Sequence, residues 1–251
     1  MVNRPEIRVV ADREALAQLA AEEFTRLADE AIRAKGAFAV ALSGGSTPKD
    51  LYARLASEQQ PFRDRIAWNK VHFFWGDERH VRPDDPQSNF RMAREAMLSK
   101  LPVPTQNIHR ILAEQADAAA AAAAYEQTLR EFFRPLAAEP PRFDLVLLGL
   151  GPEGHTASLF PGNTVASDPL RWVAAPWVEK LASYRITLTP AVLNHAAQAT
   201  FLVGGADKAD IVYEVIQGAD RPEELPAQAI RPESGRLTWL LDRAAASKLR
   251  L

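Results

Sequence analysis

Short apolar runs alternate with longer stretches of helical periodicity along this chain. Continuous apolar runs of this length are typical of strands that are buried on both faces, as in a parallel sheet. They lie at 7–10, 37–42, 71–75 and 145–148, with further candidates at 172–174, 186–188, 201–203 and 237–241. The stretches predicted to be helices lie at 12–35, 48–57, 88–100, 118–133 and 206–217. The alternation predicts βα units around a mostly parallel sheet flanked by helices, which is an α/β fold.

Polar and special residues mark the ends of the predicted helices. Asp12 is suited to the N-cap of the first helix, and Gly36 follows its last residue, where glycine commonly ends a helix. Pro48 is tolerated in the first turn of the second helix because it has no N–H to leave unpaired. Ser88 is a candidate cap for the third helix, after a polar stretch at 76–87 that is predicted to be a loop.

The composition narrows the class of protein. The 251 residues contain no internal repeat and no Ser/Gly-rich linker, so we expect a single domain over residues 1–251. The absence of cysteine excludes disulfides and thiolate chemistry. A net charge of −2 is unlike that of proteins that bind nucleic acid or anionic membranes. No apolar run reaches the roughly 18 residues of a membrane span, and the first residues lack the apolar segment of a secretory signal, so we expect a cytoplasmic protein.

Three loops are candidates for a ligand site because each follows a predicted strand, and parallel sheets bind ligands at the carboxyl ends of their strands. The first loop, at 43–48, has two glycines and two hydroxyl residues before a helix start. Glycine lets backbone N–H groups turn toward an anion, and the helix N-terminus adds partial positive charge. The loop lacks the lysine-serine/threonine ending of a P-loop. Phosphate binding is therefore the favoured interpretation, and a tight turn is the alternative.

The third loop has the spacing of a dinucleotide-binding motif, with glycines at 149, 151 and 154 directly after a strand. That motif requires a long helix to follow it and an acidic residue about 20 positions later. Here Pro161 and Gly162 would end any helix within about two turns, and Glu179 fits the acidic position poorly. The sequence therefore disfavours a nicotinamide cofactor.

The same loop has a histidine that is suited to acid–base chemistry. His155 has a side chain whose ordinary pKa lies near neutrality, and Glu153 is close enough in sequence to orient it. The four other histidines have no comparable setting and are interpreted as structural or surface residues; they are His72, His80, His109 and His195.

The second loop follows the predicted strand at 71–75 and has three adjacent charged residues at 77–79. Of these, Arg79 could bind an anion or a carbonyl oxygen through its guanidinium fork. Arg185 and Lys208 lie beside later strand candidates and could close on a phosphate. From spacing alone, an exposed structural charge is an equally good interpretation of these two cations.

Three sequence blocks together resemble the glucosamine-6-phosphate isomerase/6-phosphogluconolactonase family. The blocks are LSGGSTP at 42–48, FFWGDER at 73–79 with Ser88 and Asn89 downstream, and GLGPEGHTASLFP at 149–161. The stretches at 226–227 and 239–242 also resemble the family's C-terminal part, so the resemblance spans most of the chain. It implies a Rossmann-like sheet and hydrolysis of the lactone of 6-phosphogluconate in the oxidative pentose phosphate pathway. A lactone is already an activated ester, so we expect general base catalysis and oxyanion stabilisation to suffice without a metal or organic cofactor.

The resemblance also implies roles for individual residues. His155 would activate the attacking water, and Arg79 would face the substrate. Glu153 stands where the family usually has aspartate, which moves the carboxylate about one carbon–carbon bond further out and leaves its role open. The residues expected to bind the phosphate and the rest of the substrate are Ser43, Gly44, Gly45, Ser46, Asp77, Asn89, Arg185 and Lys208.

The sequence leaves two alternative functions to compare with lactone hydrolysis. In the family's deaminase branch a tyrosine tends to follow the Asp-Glu pair, where this chain has Arg79, and an Asn-Glu-Pro stretch tends to follow the histidine, where it has residues 159–161. The missing glutamate favours lactone hydrolysis. A non-catalytic sugar-phosphate sensor domain is disfavoured because no basic helix-turn-helix stretch precedes Ser43. We expect a small sugar-phosphate lactone as the substrate, no nucleic-acid or membrane partner, and a monomer or homodimer.

Overall fold

The computed structural model describes residues 4–134, 139–162, 165, 170–232 and 234–250. The strands are β1 (Glu6–Val10), β2 (Phe38–Leu42), β3 (Val71–Trp75), β4 (Asp77–Arg79), β5 (Leu145–Leu148), β6 (Val173–Ala174), β7 (Trp177–Val178), β8 (Ser183–Leu188), β9 (Gln198–Val203) and β10 (Arg236–Asp242). The helices are α1 (Arg13–Lys35), α2 (Ser46–Leu55), α3 (Phe62–Arg65), α4 (Asn89–Ala96), α5 (Ala118–Phe133), α6 (Pro190–His195) and α7 (Ala209–Gln217).

Six strands form the central sheet in the order β1-β10-β9-β5-β2-β3, and every neighbouring pair is parallel. From β2 the chain moves outward to β3, and it then returns to the other side of β2 to form β5. The strand order therefore reverses between β2 and β5, and such a reversal opens a crevice at the carboxyl ends of the two strands. The mostly parallel, Rossmann-like sheet flanked by helices confirms the predicted fold class.

The long first helix ends where its sequence predicts. The side chain of Asp12 accepts a hydrogen bond from the backbone N–H of Ala15, and Gly36 ends the helix in the left-handed conformation with φ of 84°. One face of α1, including Leu16 and Phe24, is buried in the core. The other face has i,i+4 and i,i+3 ion pairs, of which those of Arg26 with Glu23 and Glu30 are examples.

A second, smaller sheet was not predicted. It contains β4, β8 and β6 in antiparallel pairing, and β7 pairs with β8. The polar stretch at 76–87 was expected to be a loop, but its first charged residues form β4. Two helix bounds also differ from the prediction. Helix α2 begins two residues earlier, at Ser46 rather than Pro48, and α4 ends earlier, at Ala96, before a 3₁₀ turn at Leu98–Lys100.

The buried core lies on both faces of the central sheet, which explains the unbroken apolar runs. All residues of β2, β5 and β9 are buried, as is required of strands that helices cover on both sides. Among the described residues, no helix is both long and apolar enough to cross a membrane.

Candidate active site

A cavity of about 510 Å³ opens at the carboxyl ends of the central strands. It is lined by the loops after β2, β5 and β9, by parts of β4, and by the residue that ends β10. The lining residues include Arg13, Ser43, Gly44, Gly45, Ser46, Asp77, Arg79, Asn89, Gly149, Gly151, His155, Asp207, Lys208 and Asp242. The turn at 43–46 and the imidazole of His155 therefore share one cavity.

The turn after β2 has the features of an anion site. Gly45 has φ of 105°, a conformation that side chains other than glycine rarely adopt, and α2 begins at the next residue. In the described part of the chain no side chain caps the N-terminus of α2, so its first N–H groups are available to a ligand. These N–H groups and the helix dipole together favour a bound phosphate.

The loop after β9 brings a cation to the cavity. Lys208 lies in a 3₁₀ turn, and its Nζ is 4.0 Å from Oδ2 of Asp207, at the edge of ion-pair distance. The buried carboxylate of Asp242 holds this loop, since it accepts hydrogen bonds from the N–H of Gly205 at 2.9 and 3.1 Å and from that of Ala245 at 2.7 Å.

Two buried carboxylates fix the β4 segment. Oδ2 of Asp77 accepts a hydrogen bond from the hydroxyl of Ser158 at 2.6 Å, and its Oδ1 accepts one from Nδ2 of Asn89 at 3.2 Å. Glu78 accepts hydrogen bonds from Ser88 Oγ and from the N–H groups of three residues, Arg79, Asn89 and Phe90. Burial raises the pKa of Glu78 despite these bonds, and the carboxylate ties β4 to the start of α4.

Two arginines lie side by side on the neighbouring strands β4 and β8. Arg79 of β4 pairs with Arg185 of β8 across the antiparallel ladder, and only Arg79 lines the cavity. Burial and the nearby charge of Arg79 lower the pKa of Arg185, whose guanidinium donates to the carbonyl oxygen of Tyr184 at 2.9 Å. Arg185 therefore adds positive charge behind Arg79 and does not line the predicted phosphate site.

The loop after β5 presents His155 to the cavity. A Cβ on Gly151 would lie 2.0 Å from His155 Nδ1, so the close packing of the imidazole on this backbone requires glycine. The N–H of Gly151 donates to the carbonyl oxygen of His155 at 2.9 Å, which closes the loop. The ring of Phe160 stacks on the imidazole with centroids 4.2 Å apart.

Glu153 lies behind the imidazole and does not line the cavity. Its Oε2 is 3.0 Å from His155 Nδ1, an ion-pair distance without hydrogen-bond alignment. Its Oε1 accepts a hydrogen bond from Lys180 Nζ at 3.4 Å. Burial would raise the pKa of Glu153, but its own backbone N–H, His155 and Lys180 outweigh burial and keep the pKa below its ordinary value. An ionised carboxylate is therefore held beside Nδ1.

The structure brings together all the predicted site residues except Glu153 and Arg185, which lie one contact behind the cavity wall. Sequence reasoning missed Arg13, Asp207 and Asp242. Asp242 follows directly on a predicted strand, so the rule that ligands bind at the carboxyl ends of strands could have found it. No comparable signal marks Arg13, which lies beside a helix cap.

Known proteins resemble this chain over nearly its whole length. The family model described as glucosamine-6-phosphate isomerases/6-phosphogluconolactonase matches residues 11–239. A 6-phosphogluconolactonase from a Nostoc species is 40% identical over 243 residues, covering 97% of this chain and 98% of its own length. A 6-phosphogluconolactonase from Mycobacterium tuberculosis is 38% identical over 249 residues, with the same two coverages of 97% and 98%. The solved structure of 6-phosphogluconolactonase from Trypanosoma cruzi has a TM-score of 0.86 and 30% identity, and the match covers 100% of this chain and 99% of that chain.

Proposed function

Because the chain belongs to the glucosamine-6-phosphate isomerase/6-phosphogluconolactonase family, we propose that its cavity hydrolyses 6-phosphogluconolactone to 6-phosphogluconate, the lactone-opening step of the oxidative pentose phosphate pathway. One observation carries the assignment of the site: the glycine-serine turn and the imidazole of His155 open onto the same cavity. A phosphorylated sugar can therefore be held at one end while its lactone carbonyl meets a base at the other.

The turn after β2 binds the phosphate in this proposal. The N–H groups at the start of α2 and the hydroxyl of Ser46 supply donors, and Lys208 supplies the counter-charge. A phosphate of about −2 charge gains from both the helix N-terminus and the ammonium. Asp77 and Asn89 line the wall between the two ends and fix the segment that presents Arg79.

His155 activates water at the other end. Its Nδ1 faces Glu153, which leaves Nε2 to take a proton as a water oxygen bonds to the lactone carbonyl carbon. The ring C–O bond then breaks, and the imidazolium returns its proton to the departing ring oxygen. Arg79 stabilises the oxyanion that forms between these two steps. The product is an open-chain carboxylic acid, which ionises in water.

The surroundings of the imidazole favour this reaction over deamination. The position where the deaminase branch tends to have glutamate is Phe160, whose ring stacks on His155. A ring at that position cannot exchange a proton. The site therefore has one carboxylate behind the histidine, which suits a single proton relay from water to a leaving oxygen.

One assay tests the proposed function. The purified protein is mixed with freshly prepared 6-phosphogluconolactone, and acid release is recorded at constant pH beside ammonia release from glucosamine 6-phosphate. We expect catalysed acid release and no ammonia. Ammonia release alone would assign the chain to the deaminase activity, and the absence of both would favour a sensor domain. A cytoplasmic location and a monomeric or homodimeric state stay predictions from the sequence.

A further inference from the structure

Two tyrosines make the same unusual contact at neighbouring strand ends. The hydroxyl of Tyr52 accepts a hydrogen bond from the N–H of Ser43 at 3.0 Å and donates one to the carbonyl oxygen of the same residue at 2.8 Å. The hydroxyl of Tyr125 accepts one from the N–H of Trp75 at 2.9 Å and donates one to its carbonyl oxygen at 3.0 Å. Tyr52 is 0% exposed and Tyr125 is 2% exposed.

Each contact lies where the backbone leaves the central sheet. Ser43 directly follows β2, and Trp75 is the last residue of β3, the strand that pairs with β2. A residue in this position needs a partner for its N–H or its C=O outside the ladder. A tyrosine hydroxyl supplies a donor and an acceptor at once and so fixes the orientation of both peptide groups. The direction in which the following loop leaves the sheet is thereby set.

We propose that Tyr52 and Tyr125 are positioning residues for two different halves of the active site. Tyr52 holds the turn that binds phosphate, because Ser43 is two residues before the glycine that opens α2. Tyr125 holds the segment that leads through Gly76 to Asp77 and Arg79 at the reacting end. The assignment rests on the proposed function, since it divides that function's binding and chemical steps between the two tyrosines.

The route from Tyr125 to the reacting end is short and rigid. Gly76 donates its N–H to the carbonyl oxygen of Leu42 at 2.8 Å, and its own carbonyl oxygen accepts from the N–H of Leu188 at 2.8 Å. β4 begins at the next residue, where the side chain of Asp77 is bonded to Ser158 and Asn89. Because each residue between Trp75 and β4 is fixed by hydrogen bonds, a change in the orientation of the Trp75 peptide also changes the position of Arg79.

Both hydroxyls keep their protons under assay conditions. Burial raises the pKa of Tyr52 and that of Tyr125 above the ordinary value for tyrosine. Each hydroxyl is then a donor and an acceptor throughout the pH range of an enzyme assay, so the two contacts hold the loops independently of pH.

The test replaces each tyrosine by phenylalanine, which keeps the ring and removes only the hydroxyl. For Tyr52→Phe we expect KM to rise about tenfold, equivalent to about 1.4 kcal/mol of binding free energy, with kcat changed less than about twofold. For Tyr125→Phe we expect kcat to fall about tenfold with KM changed less than about twofold. Thr25→Val is the matched control, because it removes a buried hydroxyl that donates to the carbonyl oxygen of Ala21 within α1.

Kinetic profiles that are the same for the two tyrosine variants, or the same as that of Thr25→Val, would overturn the inference. Calorimetric titration with inorganic phosphate separates this failure from that of the proposed function. Phosphate binding should weaken about tenfold in Tyr52→Phe and stay unchanged in Tyr125→Phe, whatever reaction the wild-type protein catalyses. Equal phosphate affinity in Tyr52→Phe and the wild type would also overturn it.

A measurement on the wild-type protein covers the case in which a variant does not fold. Amide hydrogen exchange should show strong protection of the Ser43 N–H, although its partner is a side-chain hydroxyl beyond the end of β2. Exchange at the rate of an unbonded loop amide would contradict the contact itself.

Discussion

The imidazole of His155 is held on its ring face and at its Nδ1 edge, and it lines the cavity. Phe160 stacks on its face, the backbone of Gly151 packs against its Nδ1 edge, and Glu153 lies 3.0 Å from Nδ1. Preorganisation of this kind removes the cost of ordering a base during the reaction. His155, which the sequence marks as a candidate base by its residue type and its glycine-rich loop, is thus also fixed in position.

Replacing His155 by asparagine should abolish base catalysis while keeping a polar side chain of similar size. We expect kcat to fall about 10²- to 10⁴-fold, the usual contribution of a general base, with little change in KM. Initial-rate kinetics on 6-phosphogluconolactone check this. His195→Asn is the control, because that histidine ends α6 and does not line the cavity. Wild-type turnover in His155→Asn would dismiss the assignment of the base.

Glu153→Gln removes the negative charge beside Nδ1 and keeps the side-chain length. We expect kcat to fall about 10- to 100-fold, since the carboxylate stabilises the imidazolium that forms when water loses its proton. KM should stay the same because Glu153 does not line the cavity. An unchanged kcat would show that glutamate does not take over the role of the family's aspartate.

Among the secondary-structure elements, β4 is a strand that the local sequence does not predict. The tripeptide Asp77–Arg79 was interpreted as the start of a loop because three adjacent charges normally mark a solvated segment. In the structure Asp77 and Glu78 are buried, because donors from Ser158, Asn89 and the start of α4 satisfy their oxygens. These donors come from residues up to 81 positions away, so no local pattern could predict the strand.

The hydrogen bonds of Tyr52 and Tyr125 are a second feature that the local sequence does not predict. The helical spacing of Tyr125 predicts a buried ring and says nothing about its hydroxyl. The partner of that hydroxyl, Trp75, is 50 residues away in the chain. Tyr52 lies only nine residues from Ser43, but no local pattern predicts that its hydroxyl bonds to both backbone groups of that residue.

The loop after β9 provides a test of the phosphate end. Lys208→Ala should raise KM for the lactone about 10- to 100-fold and leave kcat nearly unchanged, because it removes an ion pair made equally in the ground state and the transition state. Lys70→Ala, which removes an exposed cation at a 3₁₀ turn before β3, is the control. Equal KM values in the two variants would place the phosphate elsewhere in the cavity.

At the scale of the whole molecule, the alternation of elements predicted the parallel sheet correctly, but it did not predict the strand order. The convergence of the loops depends on that order, since β2 lies between β3 and β5. Glycine and hydroxyl residues within one loop are visible in the sequence, whereas the neighbours of a strand are decided by helix crossovers and long-range packing. This is why the sequence does not predict Arg13, at the start of α1, as a residue of the site.

A histidine pair at the edge of the sheet should make the stability of the fold depend on pH. Nδ1 of His72 is 3.2 Å from Nε2 of His109, and the ring of His109 stacks on Phe74. Burial, with a smaller effect from the charge of His72, lowers the pKa of His109 to about 4, and burial also lowers that of His72.

Histidine in an unfolded chain has a pKa of about 6.5. Between about pH 6.5 and 4 the unfolded chain therefore binds protons that the folded chain does not, so the free energy of unfolding falls as the pH falls. We expect Tm to decrease over this range, and the decrease to be smaller in His109→Phe. Thermal melts at several pH values check this, and an equally steep decrease in the variant would show that other groups dominate.

A crystal structure with bound 6-phosphogluconate would show where each end of the molecule lies in the cavity. We expect the phosphate to contact the N–H groups at the start of α2 and Nζ of Lys208, and the carboxylate carbon to face Nε2 of His155 with Arg79 on its oxygens. A phosphate at the His155 end of the cavity, or a product molecule bound outside it, would show that the two ends of the site are wrongly assigned.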